Sequence, residues 1–264
     1  DLHAKTGGVV PEVASRHHVE QINAVIHEAL QTASVSFQEI EAVAVANRPG
    51  LLGALLVGVS AAKALSYALH IPLIAVHHIE AHIYANWLID PEIQFPVVCL
   101  VASGGHSELF LVKGHGDYVI LGRTRDDAAG EAFDKSARLL GLPYPGGVSI
   151  DKIAREGNGN PAAIAFPRAN LGADSLDFSF SGLKTSVRSA TQNPSFANIP
   201  VADWAASVQE AIVDSLVSKT LLAARQNHVS HILLAGGVAA NSRLQSAMRD
   251  ACGAAAVNLT SPPP

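Results

Sequence analysis

Two short apolar segments flank a long apolar segment with helical spacing, and this pattern constrains the fold more than any other. Ile40–Ala46 reads as a strand, Leu51–Leu69 alternates Leu/Val and Ala/Ser faces as a helix does, and residues 72–76 read as a second strand. The joins are short and include the turn Asn47-Arg48-Pro49-Gly50. A strand–helix–strand unit with short joins is typical of a parallel sheet. The sequence therefore predicts an α/β fold.

The rest of the chain predicts a second domain with its own sheet. Segments 96–102, 107–113 and 118–123 are joined by glycine-rich turns and predict an antiparallel meander. We further expect a helix at 130–140, an irregular region at 141–184, a helix at 203–226, a strand at 230–235 and a helix from about Asn241. Asp90-Pro91-Glu92 interrupts the chain before the meander, so the predicted domains are 1–94 and 95–264.

Composition and charge exclude several protein classes. The 264 residues carry a formal net charge of −5, which provides no overall field to attract nucleic acid. Cys99 and Cys252 form no disulfide framework, which favours a reducing cytoplasm. No signal peptide is recognised, and the helical faces of Leu51–Leu69 favour a buried helix over a membrane span. The absence of an initiator Met and the abrupt end at Pro264 suggest a fragment.

A histidine-rich segment after the second predicted strand is a candidate metal site. If residues 79–88 are helical, His78 and His82 lie four residues apart on one face, with Cβ atoms roughly 5–6 Å apart. Two imidazoles at that spacing can hold one metal ion, although two ligands alone do not define a site. The alternative is a pair of partly exposed histidines at a helix start.

Several glycine-rich and acidic segments are candidates for ligand binding. The turn Val101-Ala102-Ser103-Gly104-Gly105-His106 can aim backbone N–H groups at an anion, or it can be an ordinary hairpin turn. Glu131 and Asp134 are i,i+3 neighbours that can hold ribose hydroxyls, or they can simply complement a helix dipole. The glycines of the tight turn Tyr144–Asp151 can lie against a flat base, or they can be needed for the turn itself. Asn241 can cap a helix or bind a base edge. Phe178–Thr185 is interpreted as structural packing.

Taken together and in order, seven segments resemble the bacterial TsaD family, the tRNA N6-adenosine threonylcarbamoyltransferases once called O-sialoglycoprotein endopeptidases. They are GGVVPEVASRHH, HHIEAH, VASGGHSEL, DDAAGEAFDK, LLGLPYPGG, FSFSGLKT and GGVAANSRL, and they extend over essentially the whole chain. The resemblance implies an actin-like fold of the sugar kinase/Hsp70 type, with two subdomains and a nucleotide in the cleft between them. It also implies transfer of a threonylcarbamoyl group from threonylcarbamoyl-AMP to N6 of the adenosine beside the anticodon.

Residue roles follow from the resemblance motif by motif. His78 and His82 correspond to metal ligands, with Fe²⁺ expected and Zn²⁺ as the alternative. Residues at the substrate positions are Val101, Ala102, Ser103, Gly104, Gly105, Asp134, Gly147, Asp151 and Asn241, with Glu131 and His106 as additional candidates. The implied partners are tRNA, helper proteins similar to TsaB and TsaE, and a second copy or a related chain in a dimer. ATP or AMP is expected to bind as well.

The chain also departs from the family pattern. The first phosphate-binding strand is absent, and so is the segment with the third metal ligand, an aspartate expected just after Pro264. Two other functions remain open at this point. A zinc protease would need Glu directly after the first histidine, where this chain has Ile79, and a nucleotide-binding assembly subunit would need no catalytic residue at all.

Overall fold

The computed structural model describes residues 10–262 of the chain. The described residues form two compact units, one extending to Ala81 and the other starting at His82. This division falls earlier than the expected boundary, and two actin-like subdomains at 1–94 and 95–264 remain a prediction. The first segment of the family resemblance, GGVVPEVASRHH, begins outside the described residues.

The first unit contains the predicted strand–helix–strand motif. Its elements are α1 (Pro11–Ala33), β1 (Val43–Arg48), α2 (Leu52–Leu69) and β2 (Leu73–His77). Strands β1 and β2 pair in parallel, with Val43 opposite Leu73 and Ala46 opposite Val76. The parallel sheet is therefore confirmed. Both helices end at a residue in the left-handed conformation, Ser34 and His70, whose N–H groups satisfy carbonyls of the preceding turn.

Helix α2 is apolar but is not the buried helix that the sequence predicted. Ala62 is its one buried residue, whereas Leu52 is 74% exposed and Tyr67 is 83% exposed. Among residues 10–262, α2 is also the one helix long and apolar enough to cross a membrane, with a mean hydropathy of 1.6. That test uses length and composition alone, and core helices of soluble proteins pass it too. An apolar composition does not specify what covers a helix.

A short helix and a meander follow β2. Helix α3 (His78–Tyr84) is shorter than the predicted 79–88 because turns replace it from Ala85 onward. The second unit then contains β3 (Val97–Ala102), β4 (Ser107–Gly114), β5 (Asp117–Arg123), α4 (Ala129–Leu139), α5 (Gly146–Glu156), α6 (Ser181–Thr191), α7 (Val201–Gln226), β6 (His231–Ala235), α8 (Ser242–Ala254) and β7 (Asn258–Thr260).

The sheet of the second unit is mixed, with strand order β5-β4-β3-β6-β7. Strand β3 lies at its centre and pairs antiparallel with β4 and parallel with β6. Every residue of β3 is buried, and the long helix α7 packs against β3, α5 and α8. The carboxyl ends of β3 and β6 consequently meet at one edge of the sheet, which is where open α/β sheets bind ligands.

The predicted irregular region at 141–184 is wrong in part, because α5 lies within it and α6 begins at its end. The sequence of α5 starts with Gly146 and Gly147, and glycine has low helix propensity, which favours reading the segment as a turn. The buried residues Ile150 and Ala154 lie one turn apart and pack α5 into the core of the unit. Tertiary packing therefore overrides the local preference.

Candidate functional site

A cavity of about 400 Å³ opens at the edge of the sheet where β3 and β6 end. Five of its lining residues are positions predicted from separate segments of the sequence: Gly104, Asp134, Gly147, Asp151 and Asn241. The residues come from the turn after β3, from α4, from α5 and from the start of α8. The structure therefore brings together residues that lie far apart in the chain.

The apolar lining of the cavity was not predicted as part of the site. It is supplied by Phe133, Tyr144, Val148 and Val238, together with the ring of Pro145. Flat aromatic and small aliphatic groups of this kind suit a planar heterocycle such as a nucleobase. Except for Tyr144, which lies between two prolines, each of these residues is adjacent in sequence to a glycine or to a predicted polar position, and that adjacency is the signal that could have identified them.

Close backbone contacts fix two walls of the cavity. A Cβ atom on Gly130 would lie 2.6 Å from the carbonyl oxygen of Ser103, so only glycine lets α4 approach the turn after β3. A Cβ atom on Gly146 would lie 2.5 Å from the Cα atom of Asp134, so glycine is also needed where α5 meets α4. The two glycines therefore allow α4 to lie close to the turn after β3 and α5 to lie close to α4.

Asp134 lies on α4 and accepts a hydrogen bond from the first N–H of α5. Its Oδ1 atom is 2.7 Å from the backbone nitrogen of Gly146. Burial raises the pKa of this carboxyl above its ordinary value and the charge of Glu131 adds to that shift, whereas hydrogen bonds from the backbone N–H groups of Gly146 and Gly147 oppose it. Lys135, the next residue, pairs with Asp127 and Glu131, so the Asp134 carboxylate keeps its acceptor capacity for a ligand hydroxyl at the cavity wall.

Two cavity residues, Asp151 and Asn241, accept hydrogen bonds from the first turn of α8. Asp151 accepts from the Ser242 hydroxyl at 2.7 Å and from the Ser242 backbone N–H at 3.3 Å. Asn241 is the N-cap, and its Oδ1 atom accepts from the N–H of Leu244 at 2.9 Å. The capping role weighed for Asn241 is confirmed, and the residue also lines the cavity.

The turn after β3 contributes backbone, not side chains, to this site. Val101 and Ala102 are fully buried within β3, and their side chains pack in the core. Ser103 and His106 close the turn through two hydrogen bonds, from Ser103 N–H to the His106 carbonyl and from His106 N–H to the Ser103 hydroxyl. Gly104 and Gly105 are exposed, a Cβ atom added to either would meet no atom within 4 Å, and Gly104 lines the cavity.

Glu131 forms an ion pair and is absent from the cavity lining, so its contact with a ribose stays a prediction. Its carboxylate is 2.7 Å from the Lys135 ammonium, one helical turn along α4, and Lys135 also contacts Asp127 at 2.7 Å. Asp134 alone of the acidic pair lines the cavity. The partner of Glu131 is therefore an i,i+4 lysine on the same helix.

His78 and His82 both lie on α3, as the metal prediction requires, four residues apart. Among residues 10–262, no group of three or more His, Cys, Asp or Glu side chains is placed to hold a metal ion. The donors present are two imidazoles, a set that suits Fe²⁺ or Zn²⁺ better than Mg²⁺ or Ca²⁺. The described residues therefore fit part of a metal site.

Asp126 has a structural role that the sequence did not reveal. Its carboxylate accepts from the hydroxyls of Ser179 and Ser181 at 2.5 and 2.7 Å and from the N–H groups of Phe180 and Ser181 at 2.7 and 3.2 Å. Burial opposes ionisation, but these hydrogen bonds outweigh it and hold the pKa of Asp126 below its ordinary value. Asp126 therefore anchors the start of α6, and the packing interpretation of Phe178–Thr185 gains a specific cause.

Solved structures with similar folds have low sequence identity to this chain. Full-length HypF in a phosphate- and nucleotide-bound form aligns with a TM-score of 0.65 at 13% identity, covering 90% of this chain and 45% of that one. Component A of the (R)-2-hydroxyglutaryl-CoA dehydratase of Acidaminococcus fermentans aligns with a TM-score of 0.52 at 14% identity, covering 89% and 75%. These similarities confirm the predicted α/β fold of the actin-like ATPase type.

Sequence comparison gives much closer relatives. The tRNA N6-adenosine threonylcarbamoyltransferase of Geobacillus thermodenitrificans is 56% identical over 252 residues, covering 95% of this chain and 72% of that protein. The enzyme of the same name from Halalkalibacterium halodurans is 52% identical over 265 residues, covering 100% and 76%. The family model for TsaD, tRNA N6-adenosine threonylcarbamoyltransferase, matches residues 1–264. With its motifs confirmed in this way, the chain belongs to the TsaD family of tRNA-modifying transferases.

Proposed function

We propose that the 400 Å³ cavity holds the adenylate part of threonylcarbamoyl-AMP during transfer to N6 of the tRNA adenosine beside the anticodon. One observation carries the assignment: residues from four separate elements, each identified from the sequence as a substrate position, line the same cavity. The cavity has the size and the mixed polar and aromatic lining of a nucleotide site.

Each part of the adenylate has a matching group in the lining. The Asp134 carboxylate accepts from the ribose hydroxyls, and the Gly147 backbone and the Phe133 ring lie against the base. Asn241 lies at a base edge, and the Ser103–Gly105 turn offers its backbone to the phosphate or to a developing oxyanion. In the reaction, N6 attacks the carbamoyl carbonyl carbon, the mixed-anhydride C–O bond breaks, AMP leaves, and one N6 proton passes to solvent.

A divalent metal ion fits this family's chemistry, and His78 and His82 are the residues of this chain that would hold it. When bound, such an ion orients phosphate and carbonyl oxygens and polarises the carbamoyl group. Two neutral imidazoles leave room for anionic ligands, and we propose Fe²⁺, with Zn²⁺ as the alternative occupant.

The partners of the chain follow from its charge and its family. tRNA is the expected acceptor, and with a net charge of −5 the chain needs a local basic patch or a helper protein to bind it. We propose helper proteins similar to TsaB and TsaE, a homodimer or heterodimer, and action in the cytoplasm. The protease reading is disfavoured because Ile79 follows His78, and the transferase relatives disfavour a purely structural subunit.

AMP binding to paired Asp134 variants tests the proposal. Asp134→Ala should weaken AMP binding by about 1–3 kcal/mol because it removes a charged acceptor. Asp134→Asn should also weaken it while keeping an oxygen for the Gly146 N–H, which preserves the helix start. Asp127→Asn is the matched control, because Asp127 contacts Lys135 outside the cavity.

Dideoxy-AMP, which lacks both ribose hydroxyls, completes the test. Calorimetry should give the same affinity for this analogue with the parent chain and with Asp134→Asn, because the contact removed by the variant is already absent from the ligand. Equal AMP affinities for parent and Asp134 variants would assign Asp134 to capping α5 and would overturn its place in the site.

A further inference from the structure

A buried chain of hydrogen bonds leads from α8 through Asn241 to Gln209 on α7. The Leu244 backbone N–H is a donor and cannot accept, so the oxygen of the Asn241 amide must face it, as observed at 2.9 Å. The Asn241 nitrogen then faces Gln209, and its Nδ2–H donates to Gln209 Oε1 at 2.9 Å. A backbone donor therefore sets the orientation of both amides in turn.

Gln209 does not touch the nucleotide cavity. It is 5% exposed and lines a separate cavity of about 260 Å³ together with Ser242 and Arg243. A polar side chain buried to this degree in a helix core requires a partner, and Asn241 is the one that the hydrogen bonds of this region show. Any effect of Gln209 on the nucleotide must therefore pass through Asn241.

We infer that Gln209 is a positioning residue that fixes the plane of the Asn241 amide, and with it the direction of its free N–H toward the base. The Asn241 nitrogen has two hydrogens, and Gln209 takes one of them, which leaves the other N–H available at the cavity wall. The cavity wall therefore presents the second Asn241 N–H as a hydrogen-bond donor. The matching acceptor on adenine is one of its ring nitrogens. This inference rests on the proposed binding of adenylate in the cavity.

The role of Gln209 is separable from simple packing. Without an acceptor at position 209, Asn241 keeps its bond to Leu244 but loses the second anchor that fixes the plane of its amide. A ligand that uses the donated N–H then loses affinity, whereas a ligand lacking the matching ring nitrogen loses none. A residue that only fills space would change the affinity of both ligands equally.

Binding of AMP and of its 1-deaza, 3-deaza and 7-deaza analogues tests this inference, because each analogue replaces one ring-nitrogen acceptor with C–H. With the parent chain, one analogue should bind about 5–10-fold more weakly than AMP, the worth of one neutral hydrogen bond. Gln209→Met keeps the side-chain length without an acceptor, and it should abolish that difference by weakening AMP. Gln209→Glu restores an acceptor oxygen and should restore the difference.

Glu210→Gln provides the matched control. Glu210 is the next residue on α7 and pairs with Arg243 on α8 at 2.7 Å, so the variant alters the same helix contact without touching the two amides. The analogue pattern should be unchanged in it.

Two negative outcomes are distinct. If Gln209→Met binds AMP and shows the same analogue pattern as the parent chain, this inference is overturned and the proposed function stands. The same holds if the parent chain binds AMP but binds none of the three analogues more weakly. Failure of the parent chain to bind AMP would overturn the proposed function and the inference together.

Discussion

Two adjacent glycines at the start of α5 should respond in opposite ways to the same substitution. At Gly146 an added Cβ atom would lie 2.5 Å from Asp134 Cα and 2.8 Å from Ala137 Cβ, and neither of these atoms can move without shifting α4. At Gly147 the nearest atoms to an added Cβ belong to the Phe133 side chain at 3.8 Å, which is ordinary van der Waals contact. Gly147 lines the cavity, whereas Gly146 is buried.

The expected magnitudes follow from these contacts. Overpacking of the Gly146→Ala kind costs about 1–3 kcal/mol of unfolding free energy, from which the usual gain of replacing a helical glycine subtracts about 0.4–1 kcal/mol. The mid-range values, about 2 kcal/mol less about 0.7 kcal/mol, leave a net loss of about 1.3 kcal/mol. For a unit of this size, 1 kcal/mol changes Tm by about 2–4 °C, so Gly146→Ala should lower Tm by roughly 3–5 °C. Gly147→Ala should raise Tm by about 1–4 °C, because it has the gain of replacing a helical glycine without the overpacking cost.

The AMP affinities of the two variants should not follow their stabilities. The new methyl group of Gly147→Ala occupies space in the cavity, so AMP binding should weaken in the more stable of the two variants. Thermal unfolding followed by circular dichroism and AMP titration by calorimetry measure the two quantities. A Gly146→Ala protein as stable as the parent would refute the close-approach argument, and a Gly147→Ala protein that binds AMP as tightly as the parent would place the base elsewhere.

Two further predictions concern the metal ligand and the anchor of α6. His82→Ala should lower metal content in the purified protein while changing the unfolding free energy by less than about 0.5 kcal/mol. The control His17→Ala, on α1, should change neither quantity. Unchanged metal content in His82→Ala would remove His82 from the site. Asp126→Asn should cost about 1–2 kcal/mol because an amide cannot accept all four bonds. Since the folded pKa of Asp126 is lowered, its stabilisation is present above about pH 3.9 and is lost as the pH falls through the folded value, so the variant and the parent should converge in acid.

Local patterns predicted the elements of the fold well. The parallel β1–β2 pair and the β3–β4–β5 meander were recognisable because the apolar period and the turn residues lie within each segment. Helix α5 was placed in an irregular region because its first two residues are glycines that serve contacts with α4, a reason found outside the segment.

The sequence identified residues that line one cavity but not which neighbouring side chains face it, and their role in substrate binding stays a prediction. Asp134, Gly147, Asp151 and Asn241 lie around one cavity as the motifs indicated. Glu131 was paired with Asp134 by spacing alone, and the ion pair with Lys135 turns it away. Which of two neighbouring carboxylates faces a ligand depends on the cations around each of them, and a sequence pattern does not rank those contacts.

The central position of β3 has a consequence for folding order. On one side β3 pairs with β4, which follows it after a tight turn, and on the other side it pairs with β6, which comes near the end of the chain. Local pairing closes a short loop, whereas the β3–β6 pairing must close a long one, so we expect the meander to form first. Gly237 and Asn241 follow β6, so the cavity is completed by the later pairing. A nucleotide therefore binds only after β3 and β6 have paired. Its binding free energy stabilises this late β3–β6 pairing against local unfolding.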